Sequence, residues 1–130
     1  MQIESNLLDG QALIWATCSA LGHSPEIAMN GIAYRSDHGS WVYPRYTDDT
    51  EAGDLIASYW ISVERPSKGQ QTPSWRVVTD SRRKVASYEF NGPVVAHGPT
   101  LGIAVCRVLV IAHFGQKVEI PDVLRSAVCV

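Results

Sequence analysis

Residues 98–115, GPTLGIAVCRVLVIAHFG, are the most apolar stretch of this chain and decide its fold. Its apolar run, Leu101 to Phe114, would reach about 21 Å as a helix, short of the roughly 30 Å hydrocarbon layer of a bilayer. Arg107 lies near the middle of the run, where a membrane would penalise a charge. The stretch therefore predicts a helix buried in a soluble domain.

The ends of this helix are marked by residues typical of soluble proteins. Thr100 can cap its start, and Gly115 can supply the left-handed residue just after its end. Because the apolar residues cover most of the circumference, we expect the helix to be packed on more than one side. Arg107 then marks the one stripe that reaches water or meets a carboxylate.

A second helix is predicted over residues 9–21. Asp9 is a good N-cap and Gly22 a good terminator. Leu8 and Leu13 have the spacing of a hydrophobic staple, in which an apolar residue before the cap packs against one in the first turns. The helix can cover a sheet or the first helix.

The middle of the chain has the alternating pattern typical of strands. Residues 59–64 alternate apolar with polar side chains, and SWRVVT at 74–79 and VASYEF at 85–90 are further candidates. The connection TDSRRK has the right length to join the last two in a hairpin. Residues 41–43 are a shorter candidate, and 64–75 is predicted to be an exposed connection.

Length and composition indicate one domain over residues 1–130. An apolar content of 45% is enough for one core, and a net charge of −2 indicates neither a disordered tail nor a generally basic nucleic-acid binder. We therefore predict an α+β fold with two main helices packed on a small antiparallel sheet of three to five strands. A mixed sheet is the alternative.

Metal and cofactor signals are weak. The acidic segment 48–54, DDTEAGD, resembles the start of a calcium loop, but Thr50 and Ala52 occupy liganding places and Tyr59 lies where a glutamate is required. A solvated loop or an acidic helix start explains the segment better. The histidines lack metal-ligand spacing, so we predict no metal and no cofactor.

Cysteine usage and the N-terminal residues favour a reducing compartment. The three cysteines form no CxxC pair, which argues against a disulfide framework. The opening residues MQIESNLLDGQ lack the basic start and long apolar stretch of a secretory signal. We expect a cytoplasmic protein that does not insert in a membrane.

No catalytic motif with nameable residues is present. Cys106 and His113 share a helical face but lie about 10 Å apart, too far for a thiolate and its base. A small enzyme with an unrecognised site stays an alternative. A well-formed pocket around Asp48, Asp54 or His97 would support it.

A cluster of basic residues raises a second alternative, a nucleic-acid interface. Arg76, Arg82, Arg83 and Lys84 could hold phosphates on a hairpin, with Trp75 stacking on an unpaired base. Short charge clusters are more often solvated hairpin tips. We therefore rank this hypothesis below protein binding.

Three segments resemble the NinX-like family of small proteins of tailed phages and prophages. Residues 98–124 are similar to the family's Gly-x-Thr start, helix with a central arginine, Phe-Gly end and Val-x-Ile-Pro segment, with Leu101 where the family usually has proline. Residues 7–22 and 46–56 are similar to its opening helix and its Gly-x-x-Ile region. Together the segments cover about half the chain.

The resemblance implies a phage or prophage origin, a location in the host cytoplasm and an accessory role. It carries over no catalytic residues. With nine tryptophan and tyrosine residues to supply exposed aromatic surface, we predict a non-enzymatic module that binds a host or phage protein.

Overall fold

Three α-helices and a set of short antiparallel strands make up the described part of this α+β chain. The computed structural model describes residues 2–29, 31–66, 74–79, 84–85, 88–89 and 93–127. The α-helices are α1 (Gly10–Ala20), α2 (Asp49–Tyr59) and α3 (Leu101–Phe114), and two short 3-10 helices span Ser5–Leu7 and Asp122–Ala127. The strands are β1 (Gln2–Glu4), β2 (Glu26–Ala28), β3 (Gly31–Arg35), β4 (Trp41–Val42), β5 (Ile61–Glu64), β6 (Trp75–Thr79), β7 (Lys84–Val85), β8 (Tyr88–Glu89), β9 (Val94–Gly98) and β10 (Lys117–Glu119).

The strands pair antiparallel in four small groups rather than in one sheet. Their orders are β1-β10, β2-β3-β4, β5-β6-β9 and β7-β8. The antiparallel pairing agrees with the sequence prediction. The second group carries the candidate site, and the third packs against α3.

The predicted central helix is confirmed. The Thr100 hydroxyl accepts a hydrogen bond from the Ile103 N–H at 3.3 Å, and Gly115 ends the helix with a positive φ of 85°. α3 contacts α1, α2, β6 and β9, and most of its residues are buried. It is packed on several sides, as its nearly continuous apolar surface predicts.

The expectation that Arg107 reaches water is wrong. Its side chain is only 8% exposed, and it donates from Nε to the Leu8 carbonyl at 2.9 Å and from Nη1 to the His97 carbonyl at 3.0 Å. A long side chain with five donors can satisfy main-chain carbonyls inside a core, which the sequence pattern alone does not show.

The predicted N-terminal helix is also confirmed, with bounds one residue inside the predicted ones at each end. The Asp9 carboxylate accepts from the Gly10 N–H at 2.7 Å, and Gly22 follows the helix with a φ of 90°. Leu8 and Leu13, the two residues of the predicted staple, are completely buried.

α2 is a third helix that the prediction of two main helices lacks. It starts in the acidic segment, with Asp49 and Glu51 in its first turn, where negative charge favours the helix dipole. Of the two explanations given for the segment, a solvated loop or an acidic helix start, the structure shows the helix start. Trp60, the residue that follows the helix, has a left-handed φ of 54°.

The strand predictions are confirmed in part. β6 lies within 74–79 and β4 within 41–43, whereas residue 59 belongs to α2 and β5 begins at Ile61. The predicted hairpin between 74–79 and 85–90 is wrong, because β6 pairs with β5 and β9, and β7 pairs with β8 inside the region read as one strand. β9 follows Pro93 as an edge strand of its group.

The starts of α2 and α3 meet at a close backbone contact. Gly102 lies so near Thr47 that a Cβ atom on Gly102 would overlap the Thr47 main chain, and a Cβ on Gly98 would lie 2.8 Å from the Ala104 nitrogen. Glycine at position 102 lets the segment before α2 pack directly on α3, and glycine at position 98 lets β9 approach the first turn of α3.

Candidate functional site

The segment Trp41–Tyr46, WVYPRY, presents two different sides. Trp41, Tyr43 and Arg45 are exposed, whereas Val42 is half-buried and Pro44 and Tyr46 are buried. β4 (Trp41–Val42) explains the first step of this alternation, because successive side chains of a strand point to opposite faces. One side forms a surface patch and the other lines a cavity.

The outer side carries an aromatic patch that we call the Arg35–Trp41 patch, formed by Arg35, Trp41 and Tyr43. Arg35 and Trp41 are cross-strand partners in the β3–β4 hairpin, and the guanidinium carbon lies 4.7 Å from the centre of the indole ring. Trp41 is 46% exposed and Tyr43 45% exposed. The patch therefore combines a stacked cation with two accessible aromatic rings.

The turn of this hairpin is held by its own hydrogen bonds. The Ser36 N–H donates to the Ser40 carbonyl at 2.8 Å, and the Ser40 N–H donates to the Ser36 hydroxyl at 3.2 Å. Gly39 has a φ of 83°, which glycine adopts without strain. The turn thus joins the two strands that carry Arg35 and Trp41.

The inner side lines a cavity of about 230 Å³, which we call the Tyr34 cavity. Tyr34 and its cross-strand partner Val42 form one wall. The lining residues come from the hairpin, the following segment and α2: Tyr34, Val42, Pro44, Tyr46, Glu51, Asp54, Leu55 and Ser58.

The α2 wall of this cavity is one face of the helix. Positions 51, 54, 55 and 58 follow the i, i+3, i+4, i+7 spacing that places side chains on the same side. The Glu51 carboxylate also accepts a hydrogen bond from the Arg45 N–H at 2.8 Å, which ties the start of the helix to the segment before it.

Phenol and thiol groups lie behind the cavity. Tyr46 is 7% exposed, and its enclosed hydroxyl makes no hydrogen bond of good geometry, although the Cys18 thiol and the Tyr34 hydroxyl lie beside it. Burial raises the pKa of Cys18 to about 11 and raises the pKa values of Tyr46 and Tyr34 as well. These groups are therefore neutral at physiological pH.

Cys106 is a core residue. It is fully buried in α3, and burial raises the pKa of its thiol to about 12 although the Thr17 hydroxyl lies at hydrogen-bonding distance. A nucleophilic cysteine needs a lowered pKa and access to solvent. His113 lies in the last turn of the same helix. Its ring packs edge-to-face against the Phe114 ring, with 4.4 Å between the two ring centroids.

The three residues named for the enzyme alternative line three different clefts. Asp48 lines a cleft of about 510 Å³ together with Trp75, His97 one of about 340 Å³, and Asp54 the Tyr34 cavity. Each of the three residues therefore lies at a cleft, although the structure does not bring their side chains into one site, and the enzyme alternative stays a prediction. Among the described residues, no three His, Cys, Asp or Glu side chains converge to hold a metal ion.

The residues of the nucleic-acid alternative are only partly described. Trp75 and Arg76 are adjacent on β6 and so point to opposite faces, and Arg76 donates to the Glu64 carboxylate at 3.2 Å. Lys84 is described in its backbone alone, and Arg82 and Arg83 lie outside the described residues. This alternative stays a prediction.

Apart from Asp54, which was named for the enzyme alternative, sequence reasoning missed the residues that form the patch and line the cavity. The alternation in WVYPRY and the helical spacing of positions 51, 54, 55 and 58 are the signals that could have found them. Comparison of the sequence with models of known protein families gives no match, and neither does comparison with curated proteins. Over the described ranges, no helix has both the length and the apolarity to cross a bilayer.

Proposed function

We propose that this chain is a non-enzymatic accessory protein of phage or prophage origin that binds a host or phage protein through the Arg35–Trp41 patch. The observation that carries the proposal is the Arg35 guanidinium stacked on the half-exposed Trp41 ring, with Tyr43 two residues along the same side. The origin and the location in the host cytoplasm rest on the NinX-like resemblance of residues 98–124.

The composition of the patch favours a protein partner. Tryptophan, tyrosine and arginine are the residues that most often dominate binding energy at protein interfaces. Stacking on Trp41 already restricts the Arg35 side chain, so less conformational entropy is lost on docking. The hydrogen-bonded turn between them restricts the backbone in the same way.

The arrangement of the other chemical groups is consistent with a binding role. Cys18 and Cys106 are enclosed and protonated, and Asp48, Asp54 and His97 line separate clefts. A catalytic site requires its acid, base or nucleophile to converge on one reacting atom. The exposed stacked aromatic patch is the feature that bears more directly on function.

Affinity capture from a host lysate, followed by titration of the purified partner, tests the proposal. We expect Trp41→Ser to weaken the partner's binding more than about tenfold, because loss of a central aromatic anchor costs about 2 kcal/mol or more. Trp60→Ser is the matched control. Because Trp60 is 65% exposed, its removal should reduce nonspecific hydrophobic binding at least as much as the removal of Trp41. Equal binding by wild type and Trp41→Ser would exclude the patch as the docking surface.

A further inference from the structure

The Tyr34 cavity is negatively charged. Glu51 and Asp54 contribute two carboxylates, and none of the described residues that line the cavity is basic. Two arginines are adjacent in the chain to lining residues. Arg45 is exposed, with its Nε 3.6 Å from an Asp48 carboxylate oxygen, and the Arg35 guanidinium lies over the Trp41 ring. A cation entering the cavity would therefore meet uncompensated negative charge.

The remaining walls are aromatic and apolar. Tyr34 and Tyr46 contribute aromatic surface to the wall, and one face of the Tyr34 ring is stacked on His23 with 3.9 Å between the ring centroids. Aromatic rings attract ammonium and guanidinium groups through the negative potential of their faces. Val42, Pro44 and Leu55 supply aliphatic surface for a hydrocarbon stem. Charge, aromatic rings and apolar contacts together match an amphipathic cation better than a bare metal ion, which needs several converging oxygen ligands.

The size of the cavity limits its occupant. A volume of about 230 Å³ lies below the roughly 300–1,000 Å³ of pockets for drug-sized ligands. It accommodates one charged head group with a short aliphatic chain, the dimensions of an arginine or lysine side chain.

We infer that the Tyr34 cavity binds an organic cation, a guanidinium or ammonium group on a short aliphatic stem. The carboxylates of Glu51 and Asp54 hold the charge, the tyrosine rings flank the head group, and Val42, Pro44 and Leu55 contact the stem. This inference goes beyond the proposed function, and it is measured on the purified chain without any partner.

Calorimetric titration of the full chain with agmatine at low salt tests the inference. We expect saturable binding that weakens about fivefold in each of Glu51→Gln and Asp54→Asn, because each change removes one attracting charge. Both changes keep the side-chain shape, and the amide introduced by Glu51→Gln retains an oxygen to accept the Arg45 N–H. Asp49→Asn is the control, since it removes a charge from the same helix outside the cavity.

Two further arms sharpen the result. The neutral n-butanol should bind far more weakly than n-butylamine, which has the same chain with a charged head. Asp54→Lys should abolish agmatine binding, because position 54 is exposed and the new ammonium group can occupy the cavity itself.

A blocked Gly-Arg-Gly peptide separates the two sources of this chemistry. Tighter binding of the peptide than of agmatine assigns the site to a basic side chain of a polypeptide, and the reverse assigns it to a free cation. Absence of agmatine and butylamine binding, or equal binding by wild type, Glu51→Gln and Asp54→Asn, overturns the inference. Partner capture that depends on Trp41 would survive that result, so the two failures are distinguishable.

Discussion

Gly102 lies directly against the main chain of Thr47, without room for a Cβ atom between them. The contact joins the first turn of α3 to the segment that leads into α2. It therefore sets the position of the α2 face that lines the Tyr34 cavity.

We expect Gly102→Ala to lower the free energy of unfolding by more than about 2 kcal/mol, because the two backbones must separate to admit a methyl group. Gly53→Ala is the matched change, since a Cβ there meets nothing within 4 Å and the residue lies within α2. It should raise stability by about 0.5–1 kcal/mol. Urea denaturation measures both, and similar effects of the two changes would contradict the close contact.

The buried Arg107 should contribute more to stability than the exposed Arg45. Arg107→Met should destabilise the protein by about 3 kcal/mol, because the Leu8 and His97 carbonyls lose hydrogen bonds from a charged donor. Arg45→Met should cost less than about 1 kcal/mol, since Arg45 makes a surface ion pair with Asp48. Equal urea midpoints for the two variants would show that Arg107 does not stabilise the core.

Tyr46→Phe should leave stability unchanged or raise it by up to about 1 kcal/mol, because it removes a buried hydroxyl that has no hydrogen bond. Thr79→Val deletes a buried hydroxyl that donates to the Tyr59 carbonyl at 3.3 Å and should cost about 1 kcal/mol. If Tyr46→Phe costs as much as Thr79→Val, the Tyr46 hydroxyl has a partner, and Cys18 is the candidate.

The buried thiols predict a loss of stability at alkaline pH. Burial raises the pKa of Cys18 from 9.0 to about 11 and that of Cys106 from 9.0 to about 12. Below pH 9 both thiols are protonated in the folded and unfolded states, so their contribution is fully present. Above pH 9 the unfolded thiols ionise first, and the free energy of unfolding falls as pH rises toward 11 and 12.

Urea denaturation between pH 8 and pH 10 measures this effect. The double variant Cys18→Ala/Cys106→Ala should show a shallower decline than wild type, although its stability at pH 8 is lower because buried atoms are removed. Parallel pH profiles for the two proteins would show that these thiols are not shielded from ionisation.

Fluorescence anisotropy with single-stranded and duplex DNA at two salt concentrations separates protein binding from the nucleic-acid alternative. We expect no salt-dependent binding of either DNA, because the net charge of the chain is −2 and the Arg76 guanidinium is already paired with the Glu64 carboxylate. Binding with a steep salt dependence that disappears in Arg82→Ala/Arg83→Ala would replace our proposal.

Local signals predict α1 and α3 well. Asp9, Thr100 and Gly115 mark helix ends through hydrogen bonds and backbone angles that depend on near neighbours. α2 is less visible because its acidic start and Gly53 resemble a loop. Its apolar positions 52, 55, 56 and 59 nevertheless have helical spacing.

The sequence does not show which strands and side chains that are distant in the chain come into contact. β6 pairs with β9, and β7 and β8, which lie between them in the chain, pair with each other; no local rule selects these pairings. The Tyr34 cavity likewise joins a hairpin, a connecting segment and a helix face. Its residues come together only in the folded chain, in which Gly102 contacts Thr47 and α2 packs on α3.

The segment Trp41–Tyr46 contributes residues to both the Arg35–Trp41 patch and the Tyr34 cavity, so a movement of its backbone would affect both. If an occupant of the cavity displaces Val42 and Pro44, the same backbone carries Trp41 and Tyr43 with it. Any such influence on docking must act equally in reverse, so the partner would tune the cavity's affinity by the same factor. A few residues of the chain would then couple occupancy of the cavity to the orientation of the patch.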